Sequence, residues 1–473
     1  MRAVAAVLAS LLVSAPAFAG SITAPGVIAG PDSSAAVGNV GAIHWNPAAI
    51  ATVKGVHTVI DANMMFVRVD ATATRNGGID PNTGEKYKVA QARVQVPVAL
   101  IGATWQVVPD RLTLGVGLTD GFVGGADYSA SEPEKPPYQG HQRYHAVTTK
   151  IITAQIRPAV GLTVVDGLHL GGTLGIQYNR LDALAASNIL GTEGLSPGEV
   201  AAGTHDDPYS YDSVLSGSAT GWTLGWSAGV FFDKFEKAQL GFAWDHAAPF
   251  HAEGEGAVDI PVALSVSGEP ITVPAKVTFD QTMPDIARLF IHSKLNEKWT
   301  AGAGVEYQLW NVCCGDAEGD LTIGLTNKSG QAIGSADGVS TDISATQINP
   351  RRLWNSANFH LLSSVKPSDK SWLGIRLGYN QNAVPDYAVS PANLDFENVG
   401  VMLGGRYKVG GPFVVGLNYS KFFLFERNIT TSAWNLQDGN AAFSPALPYK
   451  TSTNGTYSGA VDGVSVRLAM AFK

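Results

Sequence analysis

The stretch Gly221-Trp222-Thr223-Leu224-Gly225-Trp226-Ser227-Ala228-Gly229-Val230-Phe231-Phe232 decides how the chain is read. Trp222, Leu224, Trp226, Val230 and Phe232 fall on every second position, and small or polar residues fill most of the positions between. Successive side chains of a β-strand point to opposite faces, so this segment has one apolar face and one small, polar face. A helix would repeat its apolar positions every three to four residues instead. The same alternation recurs outward along the chain. Leu168, Leu170, Leu174 and Ile176 oppose His169, Gly171, Thr173 and Gln177. Ala238, Leu240, Phe242 and Trp244 oppose Gln239, Gly241 and Asp245. Phe413, Val415, Leu417 and Tyr419 oppose Gly416, Asn418 and Ser420, and Val464, Val466, Leu468, Met470 and Phe472 oppose Ser465 and Arg467.

About fourteen such segments can be marked, an even number as bacterial outer-membrane barrels require. They are expected near 56–71, 87–106, 111–121, 144–157, 167–181, 221–233, 237–251, 285–295, 299–311, 353–366, 371–382, 396–409, 413–427 and 457–472. Tight turns at 107–110, 233–237, 296–298 and 410–412 alternate with long connections at 122–143, 182–220, 252–284, 312–352 and 428–456. Short turns at one end and long loops at the other are the mark of a transmembrane β-barrel. Trp222, Trp244, Trp299, Trp310, Trp372, Tyr379, Tyr407 and Tyr419 are expected near the ends of apolar faces, where an interfacial aromatic belt would place them. The fold class predicted is all-β: a transmembrane antiparallel barrel over 56–473.

Composition agrees. Charged residues make up 15% of the chain, against about 25% in soluble domains. Hydrophobic residues reach 45%, which excludes intrinsic disorder, and a net charge of -8 argues against nucleic acid as a partner. Arg2, the apolar run Ala3 to Val13, Pro16 and Ala17-Phe18-Ala19 before Gly20 form a secretory signal, so residues 1–19 are expected to be removed in export. No later window is apolar enough for a membrane helix. Residues 20–55 lack alternation yet contain Ile43, Trp45 and Ile50. They are expected to fold into the lumen as an N-terminal hatch, since a barrel of this size must be plugged or conduct water.

Other chemistry-bearing patterns are weak. Gly225-Trp226-Ser227-Ala228-Gly229 matches G-x-S-x-G, but a nucleophile elbow needs a strand-to-helix turn and the alternation runs straight through Ser227. No metal-ligand spacing or phosphate loop is present, so neither metal nor cofactor is expected. Cys313-Cys314 and the acidic positions Asp206-Asp207, Asp316, Glu318 and Asp320 fall on long external connections.

The segment Ala42-Ile43-His44-Trp45-Asn46-Pro47-Ala48-Ala49-Ile50 resembles the hatch motif Asn-Pro-Ala of the outer-membrane long-chain fatty acid transporters, the FadL-like family of OMPP1/TodX type. That family also contains toluene and xylene transporters. Further similarity lies in Gly140 to Tyr144, where two residues separate Gly140 from Arg143, and in Met283-Pro284-Asp285. It continues in Leu377-Gly378-Tyr379, Val384-Pro385-Asp386, Ser390-Pro391, Gly404 to Tyr407 and Leu417-Asn418-Tyr419. The resemblance implies a monomeric fourteen-stranded barrel in the bacterial outer membrane, closed by a hatch. It implies no enzymatic activity. It also implies passive uptake of hydrophobic molecules: capture outside, hatch movement, and sideways release through the wall into outer-membrane lipid.

On this reading Asn46, Pro47 and Ala48 form the hatch turn, with Pro47 fixing φ and Asn46 favouring a turn. A fatty carboxylate would want a charge-assisted bond to a lumen cation. The candidates by parity are Arg93, Arg143, Lys150 and Arg376, with Arg467 beside them. Pro97, Gly121, Gly124 and Gly125 mark a candidate lateral gap, because proline and glycine interrupt strands. Long-chain fatty acids are the first substrate class expected and aromatic hydrocarbons such as toluene the alternative. A general hydrophilic porin and a lipid hydrolase using Ser227 are the readings from other classes.

Overall fold

The computed structural model describes residues 29–73, 89–129, 142–143, 145–188, 212–235, 237–260, 271–311, 321–327, 345–349, 353–432 and 453–472. The signal segment, Gly140, Tyr144, Cys313-Cys314 and the loop acidic positions lie outside these residues.

Among the described residues, nineteen strand segments join in one antiparallel sheet whose first and last members pair, Val56 opposite Phe472 through Ala73 opposite Gly455. The first six are β1 (Val56–Ala73), β2 (Ala90–Val108), β3 (Leu112–Asp127), β4 (Thr148–Val165), β5 (Leu168–Asn188) and β6 (Asp212–Phe235). Four staves of the wall are then each built from two collinear pieces. They are β7 (Ala238–His246) with β8 (Phe250–Ile260), β9 (Ile271–Gln281) with β10 (Asp285–Lys294), β11 (Trp299–Leu309) with β12 (Leu321–Asn327), and β13 (Ala345–Asn349) with β14 (Ser356–Ser368). The circuit finishes with β15 (Ser371–Asn380), β16 (Asn398–Gly410), β17 (Phe413–Leu424) extended by β18 (Arg427–Ile429), and β19 (Gly455–Phe472). The wall is a closed antiparallel barrel of fourteen staves. No helix among the described residues is long and apolar enough to cross a membrane.

The burial pattern is that of a soluble protein turned inside out. Leu114, Val116, Leu118, Ile156, Leu170, Leu174, Trp222, Leu224 and Trp226 are exposed on the outside. Their strand neighbours Thr113, Gln155, Arg157, Thr173, Gln177 and Ser227 are buried in the lumen. Hydrocarbon solvates the first set, and the second set must satisfy one another. The lumen has two levels. Toward the tight-turn end it is polar. Toward the long-loop end the inward faces become apolar, with Met65, Val67, Val69 and Ala71 on β1, Val258 on β8 and Val273, Val277 and Phe279 on β9 all buried.

The wall is taller than the alternation predicts. The connections expected at 182–220, 252–284 and 312–352 contain the ends of β5 and β6, most of β8, all of β9, and β12 with β13. Beyond the bilayer a strand has no lipid face, so pairing continues while the hydrophobic period fades, as in Ser213-Val214-Leu215-Ser216-Gly217-Ser218. Two aromatics also leave the expected belt. Trp310 is fully buried, its indole N–H donating to Gln308 at 2.8 Å, and the Arg406 guanidinium lies 3.7 Å over the Trp372 ring. Both follow the inward parity of their polar partners. A further connection, residues 381–397, folds inward at the long-loop end, burying Val384, Val389, Leu394 and Phe396, and the Tyr128 hydroxyl donates to the Pro391 carbonyl.

The inside-out pattern makes a direct prediction. Leu174→Arg, on the lipid face near mid-strand, should lower barrel stability by about 2–4 kcal/mol, whereas Trp105→Arg beside the tight turn should cost about 0–1 kcal/mol. Reversible denaturant titration in lipid vesicles checks it, and equal costs would show that Leu174 does not face hydrocarbon.

Candidate functional site

Residues 29–55 lie inside the barrel. A single helical turn, Ala42–Trp45, is followed by the 3-10 turns Pro47–Thr52, and almost every residue of both is buried. Asn46 sits between them in an extended conformation that would otherwise leave its surroundings unpaired. Its side-chain oxygen accepts from the Ala48 N–H at 3.1 Å, and its amide donates to Ala35 O at 2.8 Å and to Val230 O of β6 at 3.0 Å. Pro47 starts the 3-10 segment, where a missing N–H costs nothing. Asn46 therefore ties the segment to itself and to the wall.

The segment approaches the wall where the wall has no side chain. A Cβ at Gly171 of β5 would overlap the Pro47–Ala48 peptide, one at Gly229 of β6 would strike the Asn46 side chain, and one at Gly241 of β7 would strike the Ala35 carbonyl. Ile43 packs over Gly115 and Gly117 of β3. On the opposite side Trp45 meets Phe290 and His360 edge-on at ring separations of 5.8 and 6.4 Å. The Arg376 and Arg288 guanidinium groups lie 4.7 and 5.8 Å from the Trp45 ring centre. The turn Ala42–Trp45 thus bridges the lumen from β3 to β10, β14 and β15.

Nearer the start of the described chain, arginines from β15, β16 and β19 hold the segment's carbonyls and its carboxylate. Arg376 donates to the Pro31 and Ser33 carbonyls, Arg467 to the Ala29 carbonyl, and Arg406 pairs with Asp32.

Beneath Trp45 the wall carries a chain of buried charges. Arg157 pairs with Asp245 at 3.2 Å, Arg288 reaches Asp245 at 3.4 Å and Glu306 at 2.8 Å, and His360 meets Glu306 at 3.0 Å. Their strands are β4, β7, β10, β11 and β14. Sequence reasoning passed over this network, although the signal was there: a charge in the middle of a membrane strand must face the lumen. His44 of the helical turn borders the network. Burial first, then the positive charges of Arg288 and Arg157, holds its imidazole well below the ordinary histidine range.

The expected cations are dispersed. Arg93 pairs with Asp70 at 2.9 Å and Lys150 with Asp127 at 3.0 Å, both toward the long-loop end. Arg143 is buried in a turn whose carbonyl accepts from Ala186 at 3.0 Å. Arg376 alone of the four reaches the N-terminal segment. Ser227 sits mid-strand in β6, with its hydroxyl 2.5 Å from that of Thr173.

One seam in the wall is incomplete. Rungs between β2 and β3 run from Val108–Leu112 to Leu100–Thr119 and stop. Yet β2 stays paired to β1 as far as Ala90, and β3 to β4 as far as Asp127, with a register shift between Asp120 and Val123. Above Leu100 no rung joins the two strands among the described residues. Pro97 lies on β2 at this level and Gly124-Gly125 on β3, where Gly125 has a φ of 142° that a side chain would disfavour.

The family model described as "Outer membrane protein transport protein (OMPP1/FadL/TodX)" matches residues 6–312. The chain belongs to the FadL/TodX family. Members are outer-membrane transport proteins for hydrophobic molecules, which places this chain in the bacterial outer membrane. Among solved structures, a Pseudomonas aeruginosa FadL homologue superimposes with a TM-score of 0.70 at 15% identity, covering 97% of this chain and 100% of that one. The Pseudomonas putida toluene transporter TodX gives 0.63 at 13% identity over 92% and 94% of the two chains. The Ralstonia pickettii toluene transporter TbuX gives 0.61 at 14% over 95% and 98%. No curated protein sequence matches the chain significantly.

Two outcomes are expected of the N-terminal segment. Gly171→Val should dislodge it without unfolding the barrel, so planar-bilayer recordings should show raised ion conductance beside a normal heat-modifiable band. Unchanged conductance would mean that the wall tolerates the added methyls. The second outcome is set by His44. Displaced into water, its imidazole titrates near the ordinary value of about 6.5. In place, it titrates lower. The displaced form therefore binds more protons, and packing is full above about pH 6.5 and weakens as pH falls toward the lower value. Conductance should rise between pH 7 and 5, and His44→Leu should flatten that rise.

Proposed function

We propose that hydrophobic molecules enter from the long-loop end, collect in the apolar upper lumen, and leave sideways between β2 and β3 when residues 29–55 shift as a hatch. The observation that carries this reading is the ladder that ends at Leu100–Thr119 while both flanking ladders continue. In hydrocarbon an open sheet edge is costly, so a wall would close this seam unless the seam had a use. Buried Val98 and Leu100 line β2 beside it, matching an apolar passenger. The hatch turn is Asn46-Pro47-Ala48, whose contacts are hydrogen bonds that water can replace.

Among substrates, uncharged hydrocarbons fit better than the fatty-acid anions first expected. Arg93 and Lys150 already face carboxylates, and Arg376 already faces carbonyls of the N-terminal segment. A fatty carboxylate would have to displace one of these acceptors. TodX and TbuX are toluene transporters, and transport of a toluene-like molecule asks for no cation.

The seam can be closed chemically. In a Cys313→Ser, Cys314→Ser background, Ala99→Cys and Asp120→Cys would stand where the next rung should be. Bridging them with a reducible bis-thiol reagent should cut uptake of labelled toluene several-fold, and reduction should restore it. Undiminished uptake in fully bridged protein would remove the lateral exit. A large open-pore conductance in untreated protein would favour a hydrophilic porin instead.

A further inference from the structure

The staves bend at a second place, and a chamber lies against the bend. Between β7 and β8 residues 247–249 leave the strand, and between β9 and β10 residues 282–284 do the same. Rungs on one side end at Asp245–Ile286 and resume at Phe250–Gln281. Inside the bend is a cavity of about 50 Å³. Its apolar lining is Ala247, Ala248, Met283, Pro284, Ile286 and Trp310, and its polar side carries His44, Arg157, Asp245 and Arg288.

The polar side is nearly self-satisfied. Arg157 and Arg288 share Asp245, and Arg288 also holds Glu306. Two positive charges thus meet two negative ones. Arg376, the next arginine, lies over the Trp45 ring and is turned to the Pro31 and Ser33 carbonyls. Left without a partner at the chamber are both ring nitrogens of His44 and one terminal nitrogen of Arg288, all buried. A neutral imidazole offers one donor and one acceptor, and the guanidinium nitrogen offers a donor. A hydroxyl group complements that set: it accepts from one and donates to the other. A carboxylate does not, because the charges already cancel and the imidazole nitrogen that lacks a proton would repel it.

We infer that this chamber selects uncharged apolar molecules bearing a single hydroxyl, such as small phenols, and that His44 is the residue that reads the hydroxyl. The inference rests on the transport reading and narrows its substrate class. It also puts the recognition contact on the N-terminal segment itself, two residues before Asn46, so an occupied chamber touches the element proposed to move.

The test uses the full mature chain in lipid nanodiscs, with empty discs subtracting partition into lipid. Labelled p-cresol, toluene and p-toluate are compared by equilibrium dialysis at pH 7.5. One satisfied hydrogen bond corresponds to roughly a tenfold preference, so p-cresol should bind about tenfold more tightly than toluene, and p-toluate should not displace it. His44→Leu should collapse the cresol-to-toluene ratio toward one. His44→Gln, which keeps a donor and an acceptor, should preserve most of it and guards against a leucine variant that misfolds. A wild-type ratio near one, a ratio unchanged in His44→Leu, or displacement of p-cresol by p-toluate would overturn the assignment. Dialysis does not require passage between β2 and β3. Failure of toluene uptake with the ratio intact would therefore count against the route and not against the chamber.

Discussion

Hydrocarbon offers no hydrogen bonds, and every other feature of this molecule answers to that fact. A backbone N–H or C=O facing lipid must be paired within the protein, so the sheet can end only by meeting itself, as β1 and β19 do through eighteen consecutive rungs. Closure then turns the polar residues inward. Once inside, they are as short of water as residues in a soluble core, and a buried charge without a partner is costly. The Arg157–Asp245–Arg288–Glu306–His360 chain is the result. Each member comes from a different strand, so the chain also braces the barrel across its interior.

Against that constraint, places where the wall fails to pair stand out. Two of them, among the described residues, border sites of contrasting chemistry. The seam between β2 and β3 faces the apolar level of the lumen, and the bend at β7–β10 faces the polar level, where His44 and Arg288 retain unpartnered nitrogens. An opening to an apolar space suits departure into lipid. A bend beside a charged but balanced cluster suits recognition of a dipole. The two irregularities differ in chemistry with the inward residues that border them, Val98 and Leu100 at the seam and His44, Arg157, Asp245 and Arg288 at the bend.

How much of this could be read from residues alone depended on where hydrocarbon lies against the chain. Where a strand crosses the bilayer, as at Trp222 to Phe232, the lipid and lumen impose opposite demands on alternate positions, and period two is plain. Where β8 and β9 rise past it, the outward Glu253 and Glu255 no longer meet hydrocarbon while Ala252 stays buried inside, and the hydrophobic pattern fades though the ladder persists. Tertiary placement was legible only in part. Gly171, Gly229 and Gly241 belong visibly to the inner face, but nothing local says that they make room for residues 35–48. Trp310 and Trp372 have the composition of belt residues, and only the parity of Gln308 and Arg406 reveals that they turn inward. The charge network has a signature of the same kind: Arg157, Asp245, Arg288 and Glu306 fall on the polar positions of the alternation, and only the lumen can receive them.

The way residues 29–55 are held suits the movement proposed for them inside a rigid wall. Barrel rungs are shielded from water, and breaking several at once has no cheap alternative. The segment's own ties are of another kind. Asn46 to Val230, Arg376 to Ser33 and Arg467 to Ala29 are hydrogen bonds between groups that water could satisfy equally well once admitted. Each such bond is worth only about 0.5–1.5 kcal/mol net. Trp45 is the exception, since its ring sits between two guanidinium groups and two aromatic rings, and burying a side chain of that size is worth several times more. Displacement of the whole segment would forfeit that contact, whereas a shift pivoting on Trp45 would not. The glycine track runs along β5, β6 and β7, the last of which pairs with β10, and there the approach is close but the wall offers no side chain to grip. The hatch proposed for this segment would swing from its anchored tryptophan and part from the glycines first, on the side where the wall leads through β4 and β3 toward the open seam.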